Sequence, residues 1–452
     1  MKMFQRKIME KLSQWKNTVS KKALCIIGAR QVGKSTVARE FGRKNYKKVI
    51  EINFISHPEY KRIFELPNPD SIFRNINVLL NEEIIRDETL LILDEVQECP
   101  EARTSIKFLV EDSTVDVLET GSLLGVNTKS VASMPVGFEE IVLMWPMDFE
   151  EFLWAYGIPE STLSYVKKCW QEKEEVDRPV HEKMLELFYL YMIVGGMPEV
   201  VQAYVDTYDL VRVNGIQKQI LDLYRLDIVK YANRSETVKI IEIFDALPSQ
   251  LDAKTKRFKL AVIDKNARLN RYENSFLWLT EAGIALPCFN LKAVELPFKL
   301  NEKRNLFKLY LCDTGLLCCS MGMHVQYELL QGNLKINQGA LLENVAAQTL
   351  KTKNFPLYYF DNKKTELDFL VSNNGKIDVL EIKSGKDVQI HRSLDRALQN
   401  EEWDIERAFV FGKCNMSRAG KIHYVPIYMM GYYDEERVES LIYKPDLSAL
   451  FQ

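Results

Sequence analysis

Eight residues, Gly28-Ala29-Arg30-Gln31-Val32-Gly33-Lys34-Ser35, restrict this chain more than any other feature. They fill every position of the pattern GxxxxGK[ST] directly after the apolar run Ala23 to Ile27. A glycine-rich turn between a buried strand and a helix opening with Thr36, Val37 and Ala38 predicts a parallel α/β sheet covered on both faces. The same residues carry a chemistry. The glycines let backbone N–H groups curl round phosphates, the helix N-terminus favours their charge, Lys34 reaches the terminal phosphates and Ser35 ligates Mg2+. Gly28, Ala29, Arg30, Gln31, Val32, Gly33, Lys34, Ser35 and Thr36 are therefore the expected nucleotide-binding residues.

A partner for this loop lies some sixty residues on, where the apolar run Leu90 to Leu93 ends in Asp94-Glu95. Asp94 is expected to hold Mg2+ through water, and Glu95 to polarise an attacking water as general base. Lys34, Asp94 and Glu95 are thus the expected catalytic residues. The next strand, Val115 to Leu118, leads to Thr120-Gly121-Ser122, small hydroxyls where a γ-phosphate can be sensed, which adds Ser122 to the nucleotide contacts. ATP is preferred over GTP because no NKxD guanine-reading element follows these strands and the Asp-Glu pair points the same way.

The 452 residues imply about three domains at a typical domain size of roughly 150 residues. Residues 1–20 read as an amphipathic helix with Phe4, Ile8, Leu12 and Trp15 on one face, and 21–155 as the phosphate-loop core, with further strands at Val49 to Phe54 and Ile141 to Trp145. Residues 156–232 read as a helical lid. Residues 233–330 read as a winged helix: helices at Val238 to Leu247 and Arg268 to Ala282, then a strand pair at Ile284 to Leu291 and Leu306 to Cys312. Residues 331–452 read as a second, separate α/β domain.

That last domain holds a second constellation. Asn374-Gly375 predicts a two-residue hairpin turn, which sets Asp368 opposite Glu381 and Glu366 opposite Lys383, with Leu367, Phe369, Leu380 and Ile382 on the other face. Opposed carboxylates repel, so a cation is expected between them. Asp368 and Glu381-Ile382-Lys383, with Glu343 on the preceding helix, have the shape of a D…(D/E)xK metal site, in which Glu343, Asp368 and Glu381 hold Mg2+ and Lys383 orients a water. The bland alternative is a solvated strand on which lysine neutralises its neighbours.

Lys plus Arg (60) nearly balance Asp plus Glu (63), so no global field favours a polyanion. Locally, residues 254 to 271 carry Lys254, Lys256, Arg257, Lys259, Lys265, Arg268 and Arg271 against the single acid Asp264, a place for DNA phosphates or for a protein surface. No apolar stretch reaches the ~18 residues that span a bilayer, and Met1 to Ser20 lacks a signal-type apolar region, so a cytoplasmic protein with no membrane partner is expected. Eight dispersed cysteines without a CxxC pair predict reduced, buried thiols.

Taken together, the chain resembles a prokaryotic family of AAA-type P-loop ATPases with a C-terminal restriction-endonuclease-like domain of unknown function. The resemblance covers nearly the whole chain. Beyond the motifs above it rests on Pro146-Met147-Asp148-Phe149-Glu150-Glu151-Phe152, Gly195-Gly196-Met197-Pro198-Glu199 and Asp313-Thr314-Gly315-Leu316-Leu317. It implies ATP binding and hydrolysis, a helical lid, a winged helix and a nuclease-like terminus. One departure is Gly137-Phe138, where such proteins carry a basic residue after the glycine. That departure puts finger-dependent hydrolysis in doubt; Arg103 and Arg225 are the candidates for a trans-acting finger, with a surface salt bridge as the alternative role of each. Two functions compete: an Mg2+-dependent ATPase coupled to a C-terminal DNA-binding or nuclease module, and an ATP/ADP-controlled switch whose inactive C-terminal domain docks protein partners. An oligomer is compatible with both.

Overall fold

The computed structural model describes residues 4–19, 21–121, 137–253, 255–265, 267–331, 338–385, 387–436 and 442–445. Helix α1 (Ile8–Lys16) buries Ile8, Leu12 and Trp15, and the Trp15 ring lies 6.2 Å from that of Phe41. It packs on a five-stranded sheet of β1 (Ala23–Ile27), β2 (Lys48–Asn53), β3 (Thr89–Asp94), β4 (Asp116–Gly121) and β5 (Glu139–Leu143). The strand order is β2-β3-β4-β1-β5 and every pairing is parallel. Connections run through helices α2 (Lys34–Asn45), α3 (Pro69–Leu80) and α4 (Pro100–Asp112). β3 is buried along its whole length, which explains its unbroken apolar run. Because β4 lies between β1 and β3, the loop after β1 and the acids after β3 flank the end of β4.

Five helices follow: α5 (Phe149–Tyr156), α6 (Glu160–Glu172), α7 (Arg178–Val194), α8 (Pro198–Thr207) and α9 (Leu210–Tyr231). α5 starts on a capping box in which Asp148 accepts the Glu151 N–H and Glu151 accepts the Asp148 N–H. Next come α10 (Thr237–Asp252), α11 (Glu273–Glu281), β6 (Ala285–Leu291), α12 (Phe298–Asn301), β7 (Glu302–Leu311), α13 (Thr314–Ser320) and α14 (Met323–Leu330). The C-terminal part contains α15 (Gln338–Thr352), β8 (Tyr358–Asp361), β9 (Glu366–Asn373), β10 (Lys376–Ile382), α16 (Arg392–Leu398), β11 (Ile405–Gly412), β12 (Ser417–Ala419) and β13 (Ile422–Pro426). Among the described residues no helix is long and apolar enough to cross a membrane.

One sheet runs across the expected division at residue 330. β6 and β7, the strand pair expected to be the wing of a separate winged helix, form one edge of an eight-stranded sheet ordered β12-β13-β11-β10-β9-β8-β6-β7. The join is a short parallel pairing of Phe289 with Tyr358 and Asn290 with Tyr359, reinforced by Asn290 Nδ2 donating to the Asp361 carbonyl at 3.0 Å. A two-stranded hairpin is marginal alone, and joining the larger sheet pairs the free edge of β6 with β8. Residues 233–330 and 331–452 therefore share one sheet.

The β9–β10 hairpin turns on Asn374 and Gly375, both at positive φ (50° and 75°), the conformation of a type I′ turn. Its register is the expected one from Lys376 opposite Asn373 to Leu380 opposite Phe369. Beyond that point the sequence-based register fails. An irregularity against β8 pairs Tyr358 with Leu370 but Phe360 with Leu367, so Leu367 joins the apolar cluster of Leu370 while Phe369 faces the other one. Glu366 pairs with Asp361 on β8 and the Lys383 N–H bonds the Phe411 carbonyl on β11, which takes these two residues to opposite neighbours rather than to each other.

Three segments of the resemblance meet at one buried junction. The Met147 N–H donates to the Gly196 carbonyl (2.7 Å), the Gly196 N–H to Asp313 Oδ2 (2.6 Å), and the Leu316 N–H to Asp313 Oδ1 (2.9 Å). A methyl group on Gly196 would meet the Met147 carbonyl oxygen at 2.0 Å, and one on Gly315 would meet the Gly195 nitrogen at 2.5 Å. Gly196→Ala should therefore lower stability by about 1–3 kcal/mol or more. Gly215→Ala, in the middle of α9 with open space around it, should instead be neutral or stabilising by up to about 1 kcal/mol. Denaturant unfolding of both variants checks the contrast.

Candidate functional site

At the end of β1 the chain turns with Gln31 (φ 66°) and Gly33 (φ 94°) in left-handed conformations and enters α2 at Lys34. A side chain on Gly28 would meet the Met144 carbonyl at 2.1 Å, so the residue that follows β5 presses directly on the loop. Lys34 is buried and donates to the carbonyls of Gly28 (2.9 Å) and Ala29 (2.8 Å). Burial lowers its pKa from 10.5 to about 8, against the pull of Glu95 and Asp94.

Asp94 is the hub of the acidic side. Its Oδ1 accepts Ser35 Oγ (2.7 Å) and Thr120 Oγ1, and its Oδ2 accepts Asn53 Nδ2 (2.7 Å), with Arg39 3.8 Å away. The side chains that meet there come from α2, β2, β3 and β4. Glu95 sits at φ 57°, a conformation that costs a non-glycine residue of order 1–3 kcal/mol and collects at functional sites. Its Oε2 accepts Gln97 Nε2 at 2.6 Å. Ser122 lies outside the described residues; Thr120, near the end of β4, is the hydroxyl that reaches Asp94.

Further groups around the loop escaped the sequence reading. Arg6 donates to the Val32 carbonyl (3.0 Å) and the Trp145 carbonyl (2.7 Å) and pairs with Glu151 at 3.1 Å, which ties the first residues of the chain to the loop and to α5. Arg30 pairs with Asp227 of α9 at 2.9 Å and donates to the Tyr231 hydroxyl at 3.2 Å, and that hydroxyl donates to Glu98, just past the Asp94-Glu95 pair. The Tyr224 hydroxyl bonds the Arg30 carbonyl at 3.1 Å. Asp227 is pushed up to about 6 by burial, with Arg30 opposing. No local motif marks Asp227; helical spacing from Tyr224 and Tyr231 is the sole signal in the sequence.

The C-terminal residues come together differently from the expected metal site. Glu343 accepts Lys256 Nζ on Oε1, and Lys308 Nζ (3.3 Å) and the Tyr310 hydroxyl (2.9 Å) on Oε2. Burial pushes the Glu343 carboxyl up, but these cations outweigh it and hold it below its ordinary value. Asp368 Oδ2 accepts the Ile382 N–H at 2.9 Å, and Lys383 lies 3.3 Å from Glu381 Oε2. Burial, then the neighbouring Asp368, raises Glu381 to about 8. Lysines stand among these carboxylates: Lys308, from β7 and left out by the sequence reading, lies beside Glu343 and Glu366, and Lys383 beside Glu381, whose Oε1 is buried without a hydrogen-bond partner. Of the basic stretch, Lys256 is used here, Lys254 lies outside the described residues, and Arg257, Lys259, Lys265, Arg268 and Arg271 are exposed.

Neither arginine considered as a finger is placed to reach a neighbouring subunit freely. Arg103 is 3% exposed and pairs with both oxygens of Glu139 at 3.0 Å, beside buried Glu119 and Cys25. Arg225 is held by Asp222 and Asp245, each at 2.8 Å. Removing the Arg103 charge strands the buried Glu139 carboxylate, so Arg103→Leu should lower stability by about 3–5 kcal/mol in denaturant unfolding.

Residues 20–153 match the AAA domain family, residues 185–327 match a domain of unknown function, DUF8612, and residues 338–430 match another, DUF4143. The second match runs across the expected boundary between lid and winged helix. No curated protein matches the chain by sequence. Among solved structures it is similar to the Walker-type ATPase PABY2304 of Pyrococcus abyssi, with 16% identity, covering 71% of this chain and 96% of that one at a TM-score of 0.42. The ORC1 protein of Aeropyrum pernix in complex with DNA gives 13%, 74%, 93% and 0.26, and a variant RuvB of Thermotoga maritima gives 11%, 62%, 89% and 0.30, in the same order. Residues 20–153, which hold the glycine-rich loop, are thus similar to an AAA domain, and the two further matches are to domains of unknown function.

Proposed function

We propose that this protein is an Mg2+-dependent ATPase whose nucleotide state is passed through Arg30 and α9 to the C-terminal half. The observation that carries the reading is the meeting of Ser35, Asp94 and Thr120 at the mouth of the glycine-rich loop, with Glu95 beside them in a strained backbone conformation. A hydroxyl and a carboxylate 2.7 Å apart are the hard oxygen donors that Mg2+ takes, so Ser35 and Asp94 would hold the ion, which screens phosphate charge when bound. Lys34 leaves the loop carbonyls for the terminal phosphates. Glu95 orients and deprotonates the attacking water, and Thr120 keeps Asp94 in position. Arg30 links the loop to Asp227 and Tyr231, so a phosphate that draws Arg30 loosens α9 from the core.

The output of this cycle is proposed to be contact between a polyanion, double-stranded DNA, and the exposed cations Arg257, Lys259, Lys265, Arg268 and Arg271. A second reading, a nucleotide switch that docks a protein partner, is favoured by the pairing of Glu343 with Lys256, Lys308 and Tyr310, which leaves this carboxylate no role in hydrolysis.

Steady-state ATP hydrolysis with and without double-stranded DNA separates the two. Lys34→Ala should lose nucleotide binding, and Glu95→Gln should keep binding but turn over about 10²–10⁴-fold more slowly. Stimulation by DNA that both variants abolish supports the coupled ATPase; slow turnover indifferent to DNA supports the switch. ATP binding should also take up a proton at alkaline pH. With Lys34 at about 8 in the free protein, the amine is largely neutral above that pH while phosphate requires the ammonium. Affinity should therefore fall as pH rises through 8, about tenfold for each further unit, as measured by calorimetry in buffers of different ionisation heat.

A further inference from the structure

The D…(D/E)xK spacing implies a divalent ion at the C-terminal carboxylates, and the groups around them test that implication. All the protein donors on Glu343 come from one direction of the chain. Lys308 and Tyr310 stand on β7, and Lys256 on the segment before α11, upstream of the region in which Glu343, Asp368 and Glu381 lie. Lys308 is 1% exposed, lies 5.0 Å above the Tyr359 ring, and its ammonium is 3.7 Å from Glu366 as well as 3.3 Å from Glu343. Packed this way it cannot swing into solvent. Lys256 is held too, because Phe258, two residues on, stacks with Phe307 and its N–H bonds the Phe307 carbonyl at 2.9 Å. Asp368 spends one oxygen on the Ile382 N–H, and Glu381 has Oε2 3.3 Å from Lys383 and Oε1 buried without a hydrogen-bond partner. Among the described residues, the one group of three or more potential ligands gathered within 4.8 Å is Cys25, Glu119 and Glu139, in the first sheet; Glu343, Asp368 and Glu381 are not so gathered.

We propose that Lys308, assisted by Lys256, is the resident cation for Glu343, Glu366 and Asp368, with Lys383 the one beside Glu381, and that the cluster takes no divalent metal ion and cleaves no phosphodiester. A fixed ammonium supplies the positive charge that a dication would bring and repels the dication from the same place. The carboxylates then act as a clasp. They fasten β7 and the 255–259 segment to α15 and β9, across the same sheet that joins the two C-terminal regions. This assignment does not depend on the reading of the phosphate loop.

Mn2+ titration of the full chain without nucleotide, followed by the electron-spin resonance of the free ion, tests it. Wild-type protein and Asp368→Asn should give one isotherm, any weak ion held at Asp94 being common to both. The double variant Lys256→Met/Lys308→Met should gain one ion, about tenfold tighter than any in the wild type, because ligand charge count sets affinity at such sites. Adding Asp368→Asn should remove it again. A wild-type Mn2+ site abolished by Asp368→Asn overturns the proposal, as does a folded double variant that gains none. Should the double variant fail to fold by circular dichroism, Lys256→Met alone, at the rim with 17% of its side chain exposed, replaces it under the same two criteria, and the wild-type comparison stands regardless.

Discussion

A buried carboxylate held by backbone N–H groups is the constraint on which the rest of this structure depends. Asp313 has no exposed surface, and the Gly196 and Leu316 N–H groups supply its bonds. Burial pushes its carboxyl up to about 6, with those backbone donors opposing. The bonds are possible because Gly195, Gly196 and Gly315 carry no side chains where three segments cross. Through Gly196 the junction reaches Met147 and the end of the first sheet, through α7 and α8 the lid, and through α13 the edge of the second sheet. Side chains reinforce it: the Tyr191 hydroxyl bonds the Met147 carbonyl and accepts from Gln348, which in turn accepts from Thr314. One apolar core accordingly runs from Ile8 to Tyr433.

This closeness gives the phosphate loop its surroundings. The residue after β5 presses on Gly28, Arg6 on the Val32 carbonyl, Gly283 on Ala29, and α9 on Arg30. A loop gripped from four sides has little freedom of its own, and the groups that grip it belong to elements far apart along the chain. The link through Asp227 and Tyr231 reaches Glu98 and so spans both ends of the site.

In the C-terminal half, most buried charges meet a partner of opposite sign, while Glu381 Oε1 is buried without a hydrogen-bond partner. Glu343 meets two lysines, Asp378 meets Arg407 at 2.7 Å, and Glu381 meets Lys383. Buried carboxylates arranged in this way hold specific segments together, since losing either partner leaves a desolvated charge without compensation. The sheet edge formed by β6 and β7 is thereby fastened twice, by its strand pairing to β8 and by lysines reaching α15.

Local spacing was enough to read the parallel strands, the helix at the glycine-rich loop and the turn at Asn374-Gly375, because each depends on neighbours a few residues away. It also brought Lys34, Ser35 and Asp94 to one place, since an α/β crossover allows few arrangements of strand ends. Leu367 was misread because a bulge shifts the side-chain alternation, and no local signal announces it. The partners Arg6, Asp227, Lys256 and Lys308 were invisible for a different reason. Their contacts lie 26 to 197 residues away along the chain, as in Arg6 with Val32 and Arg30 with Asp227. The pairing of Phe289 with Tyr358, which joins strands on either side of residue 330 in one sheet, is likewise set by contact in space. By itself, then, the sequence determined the loop, its strand and the acids opposite. Only the tertiary structure decided which charges meet, because ion pairs and sheet edges are chosen by proximity in space, which spacing along the chain does not encode.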